Sequence, residues 1–568
     1  MISTIKTIVM SERKPITNCH THIFTGDHVP PLLGKTLMPF PLFYLTNIKW
    51  LIAIVRSANN GWLRKVYYKI KTPVDRFVFW WQHLTQHNVF SMFIAWLIKT
   101  VITAICFIFL SSFLLRFLEK GYLFDFITYI FKIPLFIKIA GIPIIFKIII
   151  LIISCILIKW VRRVVQLMLY AVFSFLKTIA GNANIQLLKR YYSIAMVSKD
   201  RSQEYIFRVL KKSYPDKSKF IVLPMDLDYI KAGKPKKDYL EQLEDLRRLK
   251  RNPTFHDELK PFVFADPRRI EENSSYYDTI IECLEKDKFS GIKIYPALGY
   301  YPFDKNLLKL YFYICKHEIP VLTHCIRGII FYRGIKKTEW DHHPIFTETK
   351  NGKEQKMELK EFRNIDFINN FTHPLNYICL LDPAFLRIVL FDLKEGEPLT
   401  NELYTLYGFT KANTPQDSIL THDLKALKLC FGHFGGEDEW SKYIDKDLNT
   451  YDNKFQNNPA HFDMFKNPAA STWQRETWYS IIRNIIMNPD YPNVYADISF
   501  ILYDEKIMAL LKESLQVPKL QDRILYGTDF YVVRQKGTDK KFWIDIQSQL
   551  SKEEIERIAI TNPATFIK

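Results

Sequence analysis

The rhythm of apolar positions changes once along the chain, near residue 200. Before it lie long unbroken runs. Residues 89–115 (VFSMFIAWLIKTVITAICFIFLSSFLL) contain one charge, Lys99, and residues 139–158 (IAGIPIIFKIIILIISCILI) contain one, Lys147. Both are long enough to cross ~30 Å of hydrocarbon as helices. The stretch 164–176 is shorter, and 122–135 carries Asp125 and Lys132, so these two suit an interfacial position. After residue 200, runs of strand length alternate with helical stretches, the pattern of parallel βα units. Strands are predicted at Pro15–Cys19, Phe220–Met225, Phe262–Ala265, Ile292–Tyr295, Val321–Thr323, Leu427–Phe431, Val494–Ile498 and Ile524–Tyr526. Helices are predicted at Asp278–Lys286, Lys305–Lys316, Trp473–Met487 and Asp504–Ser514, among others. Eight such units make an α/β chain of the TIM (β/α)8 barrel type, with a helical, membrane-embedded insertion after strand one. The rival, an open doubly wound sheet, lacks a GxGxxG or Walker loop here.

Charge sharpens this division. The 568-residue chain carries a net +19. Residues 35–200 hold 21 Lys and Arg against 4 Asp and Glu, a net of +17, and the remainder is nearly neutral. A diffuse nucleic-acid surface is therefore excluded, and no nucleic-acid partner is expected. Three parts follow: 1–35 with strand one, 36–200 as the insertion, and 201–568 as the rest of the barrel. The eight cysteines form no CxxC pair and several sit in apolar runs, so they read as reduced core residues. The first 20 residues lack an apolar stretch with a cleavage site, so no secretory signal is expected.

Trp80, Trp81 and Trp160 flank the two long spans, and basic residues crowd the same flanks, including Arg64, Lys65, Arg76, Arg162 and Arg163. The connector is less basic, so the positive-inside rule puts both flanks in the cytoplasm. Strand one precedes the insertion and strands two to eight follow it, so full crossings must be even in number. The expectation is a two-span hairpin in the cytoplasmic (inner) membrane, with the barrel on the cytoplasmic side and membrane lipids as partners. Two alternatives stay open: a hairpin dipping into one leaflet, since Lys99 and Lys147 are costly at mid-bilayer, and a buried helical subdomain.

Chemistry gathers at the C-terminal ends of strands in such barrels. Strand one ends in His20-Thr-His22, strand four carries Lys293, strand five ends at His324, strand six at His433 and strand eight at Asp529. Residues i and i+2 of a strand share a face, so His20 and His22 can address one ion. Imidazoles with a carboxylate suit a catalytic divalent metal, Zn²⁺ first, with Mn²⁺ or Fe²⁺ also possible. Each signal alone has an ordinary structural reading; their joint placement at strand ends favours a metal site.

With these motifs the chain resembles the amidohydrolase superfamily, in its amidohydrolase-related branch, which includes aminocarboxymuconate-semialdehyde-decarboxylase-like enzymes. The resemblance covers 15–30 and 203–568 and includes VLPMDLD (222–228), FADPRR (264–269), GIKIYPALGYYP (291–302), THPLN (372–376), NVYADISF (493–500) and NPATF (562–566). It implies that His20, His22, His324 and Asp529 bind metal, and that His433 is a second-metal ligand or a catalytic group. It implies that Lys293 matches a lysine that is carboxylated and bridges two ions in some branches, so one or two ions are expected. Two departures stand out: Asn18 where the family has Asp before the HxH pair, and the insertion. The implied activity is hydrolysis, a metal-activated water attacking a carbonyl-like centre, with Asp529, His433 and Lys293 as the catalytic set. A metal-dependent decarboxylase and a non-catalytic membrane-tethered barrel are the alternatives. The insertion points to a small, lipophilic substrate. Arg327, Trp340, Asp341, His342 and His343, in the loop region after strand five, are candidate substrate contacts. Arg268 and Arg269 read as ion-pair partners or anion binders, and His373 as a loop residue.

Overall fold

The computed structural model describes residues 14–30, 201–328, 330–359, 364–445, 476–501, 505–533 and 538–568, with isolated positions between 33 and 198 and at Trp473. The chain divides into two units, 1–46 with 189–568, and 47–188. The spans expected at 89–115 and 139–158, and the stretches 122–135 and 164–176, lie wholly or largely outside the described residues.

Eight strands make the first unit: β1 (Thr17–Thr21), β2 (Lys219–Val222), β3 (Leu259–Phe264), β4 (Gly291–Ile294), β5 (Val321–Ile326), β6 (Leu429–Gly435), β7 (Val494–Asp497) and β8 (Ile524–Leu525). All pair in parallel and in chain order. The Cys19 N–H donates to Tyr526 O at 2.8 Å and brings β8 back to β1. Helices such as Tyr239–Arg251, Ser275–Glu285, Lys305–Lys316 and Trp478–Met487 fall between the strands. This is the TIM-barrel architecture expected, with two additional short antiparallel hairpins, His342–Lys350 with Lys353–Glu358 and Phe409–Thr410 with Ile419–Leu420.

Strand alternation builds the interior in layers. One buried cluster holds Cys19, Ile221, Phe262, Leu322, Cys430, Tyr495 and Leu525, a residue from every strand except β4. β4 supplies Lys293, which is level with Leu322 across the ladder, as Leu322 is with Cys430 and Cys430 with Tyr495. Two residues further along their strands, on the same faces, come His324 and Asp497. The polar layer thus stands directly above an apolar floor, at the C-terminal ends of the strands.

The six described cysteines, Cys19, Cys283, Cys315, Cys325, Cys379 and Cys430, are free thiols. Among the described residues no single helix is long and apolar enough to cross a membrane. The helices Pro374–Leu381 and Pro383–Phe391, bent by 85°, meet that length and composition only together, and most of their residues are buried in the barrel unit.

Candidate metal centre

The ends of β1, β5, β6, β7 and β8 converge on one buried cluster. His20 and His433 have ring centroids 4.5 Å apart, and His324 and His433 4.9 Å. His20, His22 and Asp529 can each point a ligand atom at a common position, as can His20, His433 and Asp497. Backbone geometry aims these side chains. His433, Phe434, Gly435 and Gly436 follow one another with positive φ, and Asp529 has φ of 57°. A non-glycine residue held there costs about 1–3 kcal/mol, and such strain gathers at functional sites. The turn interrupts the ladder between Gly432 and Gly435 and swings His433 over the barrel mouth. Glycine is also required around His20: a Cβ on Gly527 would sit 2.7 Å from His20 Cβ, and one on Gly432 3.1 Å from its Cε1.

Hydrogen bonds fix which ring nitrogens are free. His22 Nδ1 lies 2.7 Å from Leu223 O, which only accepts, so Nδ1 carries the proton and the Nε2 lone pair is exposed to the cluster. That Nε2 is 3.7 Å from Asp529 Oδ1. His20 Nδ1 lies 2.8 Å from Asp497 Oδ2, so its Nε2 is likewise bare. His433 Nδ1 faces Ser499 O at 3.2 Å and Ser499 Oγ at 2.9 Å, leaving its Nε2 3.2 Å from His324 Nδ1. Those two nitrogens can share at most one proton, or both can face a cation.

Burial keeps the imidazoles of His22, His324 and His433 neutral. Burial, then the charges of His20 and Lys293, holds His22 well below the usual histidine range. Burial, then His433 and Lys293, does the same to His324. His433 is pushed to about 3 by burial and then by His20. Burial brings Lys293 down to about 8 against the pull of Asp497 and Asp529. Burial lifts Asp529 to about 6, although His20 and Lys293 pull the other way. Burial would raise Asp497 as well, but the charge and hydrogen bond of His20, with His433 and Ser499, outweigh it and hold this carboxylate well below its ordinary value.

The fit to a metal can be tested on atoms left without partners. His20 Nε2, Lys293 Nζ and Asp529 Oδ1 are buried and make no hydrogen bond. Leaving such a group unsatisfied costs about 1–3 kcal/mol, more if charged. His20 Nε2 and Asp529 Oδ1 beside the His22 Nε2 lone pair form a nitrogen–oxygen donor set suited to a divalent ion.

The structure therefore brings together His20, His22, Lys293, His324, His433 and Asp529. It does not bring in all the candidate substrate contacts. Arg327 stays at the mouth: it is exposed, lies over Trp478 and has Nε 3.6 Å from Glu439. Its neighbour Gly328 is close enough that a Cβ would lie 3.2 Å from His324 Nε2. Asp341 is paired with Lys336, and His342 is exposed at the start of a hairpin. His343 is a correction: it is buried, its Nδ1 accepts from the N–H groups of Ile345 and Phe346, and its Nε2 lies 2.9 Å from Asn376 Oδ1. With both nitrogens committed and the ring stacked on Phe346, it organises the loop instead of meeting substrate. Trp340 packs edge-on against Phe371. Arg268 is paired with Asp266, Arg269 with Asp226 and Asp228. His373 caps Pro374–Tyr377 and stacks on Trp473.

Three residues were not singled out from the sequence. Asp497 orients His20, and its Oδ1 accepts from the His433 N–H at 3.2 Å, so it ties β1 to β6. Ser499 contacts both rings, and Tyr295 stacks on His324 with centroids 4.1 Å apart. A signal existed for Asp497: it lies next to the end of the predicted strand Val494–Ile498 in NVYADISF, much as Asp529 lies just past Ile524–Tyr526. Asn18 also gains an account. Its Nδ2 donates to Tyr214 Oη and Thr528 Oγ1, and both hydroxyls reach Asp539 Oδ1. The buried carboxylate lies one layer further out, on Asp539.

Comparison with known proteins gives the following. A family model described as amidohydrolase matches residues 254–568. No curated protein matches the chain by sequence. Two solved structures are similar. The 5-carboxyvanillate decarboxylase of Sphingomonas paucimobilis is 10% identical with a TM-score of 0.32, covering 61% of this chain and 78% of its own. The 4-oxalomesaconate hydratase of Rhodopseudomonas palustris is 13% identical with a TM-score of 0.32, covering 66% and 86%.

Proposed function

The chain belongs to the amidohydrolase family, and from that premise we propose that it is a metal-dependent enzyme, a hydrolase acting on a carbonyl-like centre. The observation that carries this reading is the pair of buried, unpartnered ligand atoms on His20 and Asp529 beside the His22 lone pair. His20, His22, His324 and Asp529 would hold one divalent ion, and His433 with Lys293, in a carboxylated form, a second where two bind. Zn²⁺ is the first candidate, with Mn²⁺ or Fe²⁺ next. When bound, the metal supplies Lewis acidity and activation of water at neutral pH.

The chain's own residues handle the protons. Asp529 Oδ1 is the acceptor aimed into the site, and its carboxyl, lifted to about 6, sits close enough to neutrality to take a proton from water and return it to a leaving group. Asp497 holds His20 in one tautomer throughout. His433 enters the cycle as a bare Nε2, because Ser499 O fixes its proton on Nδ1. It therefore accepts or ligates first, and polarises a developing oxyanion only after gaining a proton. The apolar floor, in whose layer Lys293 stands, closes the site from below.

Decarboxylation is the second reading. What favours it is Arg327, whose guanidinium at the mouth suits a carboxylate-bearing substrate. Metal analysis of purified protein, with His324→Ala and Asp529→Asn beside it, tests the enzyme reading. Wild type should hold stoichiometric metal and the variants lose it; a metal-free wild type after supplementation would leave a tethered, non-catalytic barrel. Assay of carboxylate and ester or amide panels for CO₂ release against hydrolysis separates the two chemistries.

Membrane association belongs to the same proposal, with the barrel on the cytoplasmic face and a small lipophilic substrate. Its support is the net +17 between residues 35 and 200, the two long apolar runs at 89–115 and 139–158, and the exposure of Phe79, Val89, Phe90, Phe93 and Trp96 in the 47–188 unit.

A further inference from the structure

A second feature of the barrel lies on the same face as the cluster. The loop after β2 contains KAGKPKK (231–237), with four lysines and no acid, in a unit that is otherwise nearly neutral. The loop after β5 contains Arg333, Lys336 and Lys337. These loops are joined into one rim. Arg333 N–H donates to Ile230 O at 2.7 Å, Lys237 N–H to Asp27 O at 2.9 Å, and Tyr332 N–H to Ala297 O at 2.9 Å. The loop after β1 is thus stitched to the loop after β2, and the loops after β2 and β4 to that after β5.

Some of the charge is internally matched: Asp27 reaches Lys236, Asp341 reaches Lys336 and Glu339 reaches Lys337. Lys231, Lys234 and Lys237 form no ion pair among the described residues. Lys231 and Lys234 are exposed. Between the basic positions stands Ile335, 88% exposed and the most exposed large apolar side chain among the described residues of the barrel unit. Leu240, exposed at the start of the helix Tyr239–Arg251, follows the lysine loop directly. Basic residues around protruding aliphatic side chains have the composition of a surface that meets anionic headgroups and inserts shallowly between them. The chain leaves the described barrel at Pro30, on this rim, and enters the segment that carries the +17 charge and the apolar runs.

We propose that this rim, with Lys231, Lys234 and Lys237 as its free cations and Ile335 as its apolar tip, is a docking surface for an anionic lipid bilayer. The mouth of the metal centre then opens onto the membrane surface, and a substrate dissolved in the bilayer reaches it without crossing bulk water. The proposal rests on the membrane reading above and adds to it which face of the barrel meets lipid.

The test uses the full chain reconstituted in vesicles of phosphatidylcholine, with and without phosphatidylglycerol. A fluorescent unnatural amino acid is placed at position 335, or at position 316 as a control, because Lys316 ends a helix at the opposite end of the barrel. Headgroup-labelled quencher lipid is then added. The expected result is quenching at 335 and none at 316, stronger in anionic vesicles and weakened by salt. In the Lys231→Gln, Lys234→Gln, Lys237→Gln variant the anionic preference should fall roughly fivefold per lysine removed, the factor that corresponds to about 1 kcal/mol per basic residue. Vesicle sedimentation and metal content should not change. A chain that fails to sediment with vesicles overturns the membrane reading and this proposal with it. A chain that sediments but shows equal or absent quenching at 335 and 316 overturns the rim assignment alone. A label at 335 that ignores lipid and responds to RNA overturns it in favour of nucleic acid.

Discussion

Replacing Asp497 by Asn isolates the group that orients His20. The two side chains are nearly isosteric, and Asn can keep Oδ1 on the N–H groups of His433 and Ser499, at 3.2 and 3.0 Å. Its Nδ2 then replaces Oδ2, 2.8 Å from His20 Nδ1. An amide donates where the carboxylate accepted, so it favours the tautomer with the proton on His20 Nε2, the nitrogen aimed into the cluster. Ligation then requires either the reversed tautomer, with two donors facing each other, or a flipped amide that strands the backbone N–H groups. Either costs about 1–3 kcal/mol, and loss of an orienting partner of this kind typically weakens metal affinity 10–100-fold. The assay is competition with a chromogenic chelator to obtain the metal Kd, with circular dichroism to establish that the barrel is folded. Activity should fall in parallel and recover in part at saturating metal. A folded Asp497→Asn variant whose Kd lies within twofold of wild type would refute the assignment of Asp497 as the group that sets the His20 tautomer.

Three further outcomes are expected. Asn18→Asp should destabilise the fold by about 1–3 kcal/mol in thermal or urea unfolding, because Tyr214 and Thr528 already donate to Asp539 and cannot also satisfy a second buried carboxylate; an unchanged midpoint would count against that network. Gly432→Ala should abolish metal retention in dialysed protein, since its Cβ would meet Thr323 O at 2.7 Å and His20 Cε1 at 3.1 Å; full retention with normal folding would show the strand can shift. The metal-free protein should lose stability as pH falls below about 6.5, because His22, His324, His343 and His433 are held neutral in the fold while the unfolded chain takes up protons there. Asp529, lifted to about 6, works in the opposite direction between about pH 4 and 6 and offsets only part of this. A melting temperature in EDTA that stays flat from pH 7 to 5 would contradict it.

The barrel was legible because each strand is a short apolar run bounded by turn residues, and the period-2 alternation places strand-end residues without any tertiary information. Lys305–Lys316 appears where its periodicity put it, whereas the helix expected from Trp473 begins at Trp478, after Thr477, whose hydroxyl accepts from the Ser480 N–H. The cluster was legible in its histidines, which are rare and chemically distinctive at strand ends. Asp497 was not, because one more aspartate at a strand terminus looks like a cap until its distance to His20 is known. His343 shows the converse: a His-His pair beside the active face reads as chemistry, yet the second ring is used to terminate backbone N–H groups. Nothing local in the sequence distinguishes those uses, since both depend on Asn376 and on a β-hairpin fold-back.

The position of β1 has a consequence for how the protein is assembled in time. Its five residues are made before β2, which follows only after about 200 intervening residues, and the chain entropy of closing such a loop grows only slowly with length. The partner on the other side, Tyr526, and the Asp529 N–H that donates to His20 O at 2.8 Å, are made about 500 residues later. His20 and His22 therefore wait, tethered but unplaced, until the rest of the barrel exists to receive them. The metal centre is a seam between β1 and β8, strands made on either side of most of the barrel, and metal capture reports that the two have met.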